Sequence, residues 1–255
     1  MTVLSVIDFG ESNKTVCICK EKLNISTIIV GFPGIGLIGS IAAKYIVREL
    51  KMEVKGYIRS PLIPPLAVFL DGVLAYPYRI YVSTEHDIAV LIGESPAPVQ
   101  AYYYLANAVL DWGKQVGAKE ILCLDGFQDP FSTSKEVYLV AEPDLKSKID
   151  KINLPKPQTG YIGGLSGAIL NETILREIDG YALLCGTTEP NFPDPDGSAN
   201  IIETLNKLKN LNIEVSSLRA DGDKIKKTMQ EFAEKTRQVS DESPYEASDK
   251  SSLYT

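Results

Sequence analysis

Residues 27–39 read TIIVGFPGIGLIG, and this stretch decides the fold. Its first four residues form a continuous apolar and β-branched run, which is typical of a strand that is buried on both faces of a sheet. From Leu37 to about Lys51 the apolar residues recur at helical spacing, so the strand leads through a glycine-rich turn into a helix. This order of strand, turn and helix predicts the first half of a parallel β–α–β unit.

Strands and helices continue to alternate along most of the chain. Between residues 66 and 93 the apolar runs are short and are interrupted at Asp71-Gly72 and at Glu85-His86-Asp87, which predicts hairpins. The other predicted strands cover residues 2–7, 15–19, 53–58, 120–124, 137–141, 161–162 and 181–185. The other predicted helices cover residues 94–117, 143–151, 166–179 and 222–238, with one more that begins at Asp194. The pattern predicts a single three-layer α/β/α sandwich over residues 1–238, with a mixed, largely parallel sheet.

The composition disfavours several classes of partner and cofactor. The chain has 255 residues with 26 Lys and Arg against 33 Asp and Glu, so its net charge of −7 is poorly suited to nucleic acid or to anionic lipid. It has one histidine and four cysteines, and we expect packed, reduced thiols with no metal site and no cofactor; the cysteines are Cys17, Cys19, Cys123 and Cys185. No apolar run is long enough for a signal peptide or a membrane span, which predicts a cytoplasmic protein.

The composition changes after Arg237. Residues 239–255 contain five serines and almost no aliphatic residue, so this segment cannot bury enough apolar surface to offset its ordering entropy. We therefore predict a disordered tail that ends in Leu253, Tyr254 and the carboxylate of Thr255. A flexible segment with an aliphatic group, an aromatic ring and a terminal carboxylate is suited to capture in a pocket of a partner. Fully extended, residues 239–252 would reach at most roughly 45–50 Å.

The glycine-rich turn has the G-x-G-x-x-G spacing of a dinucleotide-binding loop, at Gly34, Gly36 and Gly39. Backbone N–H groups at the start of a helix bind anions, so an anion or ligand loop is one interpretation. Pro33 removes a donor in the turn, and the following strand ends at Arg59 without an acidic residue to bind a ribose. The favoured interpretation is therefore that the glycines let the helix pack close to the sheet.

The remaining candidate residues do not define a catalytic site. His86 lies in a polar turn without a serine or cysteine motif beside it, which favours a solvated turn residue. Five carboxylates lie at or after predicted strand ends, where they would either flank a pocket or cap the following helices; they are Glu94, Asp125, Asp129, Glu142 and Asp144. We predict no catalytic residues and no enzymatic turnover.

Five short motifs, in this order, resemble the proteasome assembly chaperone family in its archaeal branch. They are Ile29–Gly39, Gly93–Pro96, Asp125–Phe127, Gly163–Gly167 and Pro193–Gly197. The resemblance extends over about residues 25–210. It implies a phosphorylase-like α/β/α fold, homo-oligomerisation and no established catalytic residues.

The resemblance also implies a role for the tail. Members that act on proteasomes end in a hydrophobic–tyrosine–any-residue motif that docks between α-subunits of the core ring, and Leu253, Tyr254 and Thr255 match it position by position. The expected function is an assembly chaperone or core-binding factor whose partners are the proteasome α-subunits. Two alternatives stay open: an activator or adaptor that uses the same tail, and a nucleoside- or nucleotide-binding enzyme that uses the glycine loop.

We predict that segment 61–83 forms an interface between copies of the chain. It contains more apolar surface than one sheet edge covers, at Pro61, Leu62, Ile63, Pro64, Pro65, Leu66, Val68 and Phe69. Cyclic closure is the common arrangement for such surfaces, so a homo-oligomer is expected.

Overall fold

The structure, a computed structural model, describes residues 14–19, 21–130, 135–149, 152–155, 157–222 and 224. The strand predicted at residues 2–7 and the predicted tail, residues 239–255, lie outside the described residues. The helix predicted at residues 222–238 lies outside them at residue 223 and from residue 225 onward.

The described residues form one eight-stranded sheet and one separate two-stranded hairpin. The strands are, in chain order, β1 (Val16–Cys19), β2 (Thr27–Gly31), β3 (Glu53–Arg59), β4 (Val68–Leu70), β5 (Val73–Ala75), β6 (Tyr78–Ser83), β7 (Ile88–Gly93), β8 (Glu120–Gln128), β9 (Val137–Ala141) and β10 (Asp179–Thr187). The order across the sheet is β1-β3-β6-β7-β2-β8-β10-β9. The ladders from β7 through β2 and β8 to β10 are parallel, and the outer ladders are antiparallel, so the sheet is mixed as predicted.

Helices cover both faces of the sheet. They are α1 (Ile38–Glu49), α2 (Tyr102–Val116), α3 (Pro143–Ile149), α4 (Gly164–Leu175) and α5 (Pro195–Lys209), and residues 216–222 and 224 are helical as well. Helices α2 and α4 pack together on one face, and α1 and α5 pack together on the other. The predicted α/β/α arrangement is confirmed.

Strand β2 divides its side chains between two hydrophobic cores because successive residues of a strand point to opposite faces. Ile28 and Val30 belong to the core under α2 and α4, whereas Ile29 belongs to the core under α1 and α5. All five residues of β2 are buried, as the continuous apolar run predicted.

The predicted hairpins are present. Strands β4 and β5 are joined by Asp71-Gly72, and both residues have positive φ, 49° and 78°, which is the geometry of a tight hairpin turn. Strands β6 and β7 pair antiparallel around the turn that contains His86.

Some element boundaries were predicted wrongly. The helix predicted from residue 94 begins only after Pro98, which is its extended N-cap (φ −68°, ψ 152°). An earlier start is disfavoured because a proline disfavours helical backbone at the residue before it, here Ala97. Strand β8 continues past Leu124 to Gln128, and residues 161–162 form no strand. Helix α4 covers Gly164–Leu175 instead of residues 166–179. The last described helix begins at residue 216, six residues earlier than predicted.

Candidate functional site

The glycine-rich turn connects β2 to α1 at the centre of the sheet. Gly36 has φ +62° and Leu37 has φ 50°, so the chain makes a left-handed turn just before the helix. At Gly39 a Cβ would stand 2.0 Å from the carbonyl oxygen of Leu124, which places the first turn of α1 directly on β8. At Gly31 a Cβ would stand 2.3 Å from the Ala43 Cβ. These two glycines are needed for close packing of helix against sheet.

The turn uses two of its N–H donors within the protein. Gly36 N donates to the Pro190 carbonyl at 2.8 Å, and Leu37 N donates to the Gly34 carbonyl at 3.0 Å. The Gly36 carbonyl in turn accepts from Asp194 N at 2.8 Å. These contacts tie the turn to the loop before α5 and leave neither N–H group available to an anion.

A cavity of about 290 Å³ lies beside this turn, at the carboxyl ends of the central parallel strands. It is lined by the segment after β2, by the end of β8 and by the residues that open α4. Strand β2 is followed by a helix on one face of the sheet, and its neighbour β7 is followed by a helix on the other face. Ligands of open α/β sheets bind at such a switch point.

Asp125 of β8 is the carboxylate in the lining of this cavity. Its Oδ2 accepts a hydrogen bond of 2.7 Å from the hydroxyl of Ser166, and its Oδ1 accepts one of 2.8 Å from Gly126 N. Burial raises the pKa of the Asp125 carboxyl, and these two hydrogen bonds offset part of the rise. A carboxyl group with a raised pKa in a cleft marks a candidate functional site.

The walls of the cavity are mainly aromatic and aliphatic. Four aromatic residues contribute to them, together with four branched aliphatic residues: Phe32, Tyr102, Phe127, Tyr161, Ile35, Ile162, Leu165 and Leu184. A second cavity of about 400 Å³ adjoins the first and shares Phe127, Tyr161, Ile162 and Leu184 with it. An apolar cleft with few convergent polar groups is the usual form of a small-molecule site.

The structure separates the other predicted carboxylates from the cavity. Of the five, only Asp125 lines it. Glu94 forms ion pairs with Arg79 and Lys44 instead, Asp129 N donates to the Thr187 carbonyl, and Glu142 and Asp144 are exposed where α3 begins. Ser166 was not singled out as a site residue from the sequence, although the Gly163–Gly167 motif that contains it was.

The histidine and the cysteines have surroundings that fit packing roles. His86 is half-buried in its turn, and its Nδ1 lies 2.9 Å from the Ser83 hydroxyl. Cys123 and Cys185 are buried, and burial raises the pKa of the Cys185 thiol to about 12. Within the described ranges no three His, Cys, Asp or Glu side chains are grouped so as to hold a metal ion. No helix in those ranges is long and apolar enough to cross a membrane.

The hairpin β4–β5 and its flanks carry a large exposed apolar surface. Phe69 and Leu74 face each other across the hairpin and are 74% and 80% exposed. Five neighbouring apolar or aromatic side chains are also exposed: Leu62, Leu66, Leu70, Val73 and Tyr76. A surface of this kind is typical of an interaction site.

The predicted docking residues Leu253, Tyr254 and Thr255 lie outside the described residues. Of the predicted ligand-loop residues, Gly34 lines the cavity, Gly36 forms the left-handed turn and Gly39 packs on β8.

Comparisons with known proteins identify a family and several similar proteins. The model of the PAC2 family matches residues 28–233. An uncharacterized protein of Methanocaldococcus jannaschii is 29% identical over 232 residues, which cover 88% of this chain and 92% of the relative.

Two solved structures from Pyrococcus furiosus are similar to this chain. PbaA, an archaeal homolog of proteasome-assembly chaperone, has a TM-score of 0.81 and 27% identity, with 89% of this chain and 94% of PbaA covered. PbaB, an archaeal proteasome activator, has a TM-score of 0.75 and 21% identity, with 87% of this chain and 99% of PbaB covered. At that identity the likeness to PbaB concerns the fold alone.

Proposed function

The chain belongs to the PAC2 family, and from this premise we propose that it is a proteasome assembly chaperone or core-binding factor of the cytoplasm. Membership of this family and the likeness to a proteasome-assembly chaperone homolog support a proteasome-related role. The observation that carries the proposal is the match to PbaA over nearly the full length of both chains. The proposed role is non-enzymatic, and the partners are the α-subunits of the proteasome core.

The proposed contact is made by Leu253, Tyr254 and Thr255. The sequence supports this assignment because a polar segment precedes an aliphatic group, an aromatic ring and a terminal carboxylate. In the proposed complex the carboxylate pairs with a cation or a backbone nest of the α-ring, and the tyrosine ring fills a groove beside it.

The proposed assembly is a homo-oligomer formed through the β4–β5 hairpin. The exposed pair Phe69 and Leu74 supports this proposal, since burying two such side chains between copies removes apolar surface from water. An oligomer would also present several tails to one α-ring and raise the apparent affinity through effective concentration.

An activator role is a second candidate, because the fold is shared with PbaB, an archaeal proteasome activator. The two roles differ in what they do to the core particle. An assembly chaperone increases the yield of assembled core from separate subunits, whereas an activator increases peptide hydrolysis by core that is already assembled.

The experiment that tests the proposal is a pull-down with this chain as bait. Proteasome α-subunits, offered separately and as assembled core, should be retained by the full chain and lost when residues 253–255 are deleted. A matched bait with a scrambled 239–252 segment and an intact terminus should still bind. If the full chain retains neither form, the proposal is wrong.

A further inference from the structure

The cavity at the carboxyl ends of β2 and β8 has no part in the proposed tail contact, yet it holds an energetically costly group. Asp125 places a carboxyl group on the cavity wall, between the glycine turn and the start of α4. At Gly34 a Cβ would stand 2.6 Å from Asp125 Oδ1. Only a glycine therefore lets the turn come this close to the carboxyl. Each oxygen of this carboxyl accepts one hydrogen bond within the protein, from the Ser166 hydroxyl or from Gly126 N, and each keeps a second lone pair that can accept from a ligand.

The electrostatics of the cavity disfavour a charged ligand. Gly163 is the N-cap of α4 and offers no side-chain cap, so the positive end of that 12-residue helix faces a ligand in the cavity and opposes a cation. An anion would lie beside the Asp125 carboxyl, which opposes it in turn. An uncharged ligand that donates a hydrogen bond avoids both conflicts.

The lining of the cavity favours a planar ring. Phe32, Tyr102 and Phe127 supply aromatic surface beside the aliphatic wall of Leu165 and Leu184. Proteins that bind a nucleobase combine such apolar and aromatic surfaces with hydrogen bonds to the polar edge of the base. A volume of about 290 Å³ is suited to one small ring compound.

We propose that this cavity binds a free nucleobase or nucleoside, whose ring N–H donates to Asp125 while its flat body packs on the aromatic wall. The base belongs to a small molecule and not to a nucleic acid strand, because a chain of net charge −7 is poorly suited to a phosphate backbone. The sugar of a nucleoside extends toward the adjoining cavity, which shares Phe127 and Tyr161.

The test is calorimetric titration of the full chain with inosine and with uridine, which both present a ring N–H beside a carbonyl. Their N-methylated counterparts, 1-methylinosine and 3-methyluridine, lack that donor and are the matched control ligands. At least one parent nucleoside should bind, and its methylated form should bind about tenfold or more weakly, because the methyl group removes the ring N–H that donates to the carboxyl and takes its place.

Two protein variants and two controls complete the test. Asp125→Ala should weaken binding about tenfold. Gly163→Phe should abolish it, because Gly163 lines the cavity and a Cβ there meets nothing within 4 Å, which leaves room for a ring to compete with the ligand. Leu175→Ala, at the exposed opposite end of the same helix, should bind like the parent chain. Deletion of residues 253–255 should also leave binding unchanged, which separates this proposal from the proposed proteasome contact.

Three results would overturn the inference: no heat of binding from either nucleoside at about 1 mM, equal binding of parent and methylated ligands, or unchanged binding by Gly163→Phe. If Asp125→Ala does not fold, the methylated ligands and the Gly163 variant still decide the matter.

Discussion

Gly39 of α1 lies against Leu124 of β8 so closely that a Cβ at position 39 would stand 2.0 Å from the Leu124 carbonyl oxygen. Side chains essentially never approach other atoms to that distance, and both partners here are backbone. The last glycine of the G-x-G-x-x-G spacing therefore sets the distance between helix and sheet. Close packing of helix on sheet, and not nucleotide binding, explains the glycine at this position of the loop.

Gly39→Ala should therefore destabilise the fold. In an open helix position alanine would be favoured over glycine by about 0.5–1 kcal/mol. Here the added methyl group meets backbone that cannot rotate away, and overpacking of this kind costs about 1–3 kcal/mol. Urea unfolding should report a loss of that size. Gly160→Ala, where a Cβ meets nothing within 4 Å, is the matched control and should change stability little. Equal stability of the two variants would contradict the packing explanation.

The difference in stability between Asp125→Asn and the parent chain should rise with pH. Burial raises the pKa of Asp125 in the folded state, so over an interval above about pH 4 the folded chain keeps a proton that the unfolded chain releases. The stability contributed by this group is present below the unfolded pKa and is lost as pH rises through the folded pKa.

Asparagine does not titrate, so the difference in unfolding free energy between variant and parent should grow with pH and then level off. Subtracting the parent curve from the variant curve removes the other titrating groups. A difference that shrinks as pH rises would mean that the Asp125 pKa is lowered, and the described environment of the carboxyl would be wrong.

The half-buried thiol of Cys19 and the buried thiol of Cys185 should react slowly in the folded protein. Burial raises the pKa of Cys19 to about 11 and that of Cys185 to about 12, and only the thiolate attacks an alkylating reagent. Alkylation by iodoacetamide at about pH 8 should be at least about 100-fold slower than in denaturant, because each pKa unit reduces the thiolate fraction tenfold. Peptide mass mapping would locate the modified residues. Rapid modification of Cys185 in the native state would contradict its packing role.

Charges on the hairpin should dissociate the proposed oligomer without unfolding the chain. Phe69→Lys and Leu74→Glu place charged groups at the most exposed apolar positions of β4–β5. The double variant should have a lower mass by light scattering than the parent chain. Its melting temperature should stay within a few degrees of that of the parent chain under conditions where the parent chain is a monomer. Leu175→Glu is the control, because Leu175 is 76% exposed but lies on α4. If the hairpin variant keeps the parent mass, or the parent chain is itself a monomer at micromolar concentration, the hairpin is not the interface.

The central part of the fold could be predicted from local patterns. The continuous β-branched run at 27–30 and the helical spacing of apolar residues from Leu37 onward each fit one type of secondary structure. The structure confirms both elements. The start of helix α5 could be predicted equally well, because Asp194 accepts a hydrogen bond from Gly197 N in the first turn and Pro195 follows Asp194. The boundaries that were wrong depend on tertiary contacts. Strand β8 continues to Gln128 because β10 pairs with it along that length. The local sequence does not indicate which strands pair with each other.

The candidate cavity could be predicted only in part. Asp125 was identified as a carboxylate at a strand end, because the carboxyl end of a parallel strand is readable from the order of elements. Ser166 was missed, since its contact with Asp125 joins residues 41 positions apart and arises from the packing of α4 on β8. No local sequence pattern indicates that Ser166 and Asp125 are in contact in the fold. The aromatic lining comes from four separate segments and could not be assembled from the sequence.

The most direct test of the central claim is a binding titration of proteasome α-subunits against four forms of this chain: unmodified, Tyr254→Ala, lacking residues 253–255, and extended by one residue after Thr255. We expect all three altered forms to lose most of their binding, because each removes the ring, the whole motif or the position of the carboxylate. Their melting temperature and oligomeric mass should match those of the unmodified chain. If all three altered forms bind the subunits as tightly as the unmodified chain does, the tail is not the docking element and the claim is contradicted.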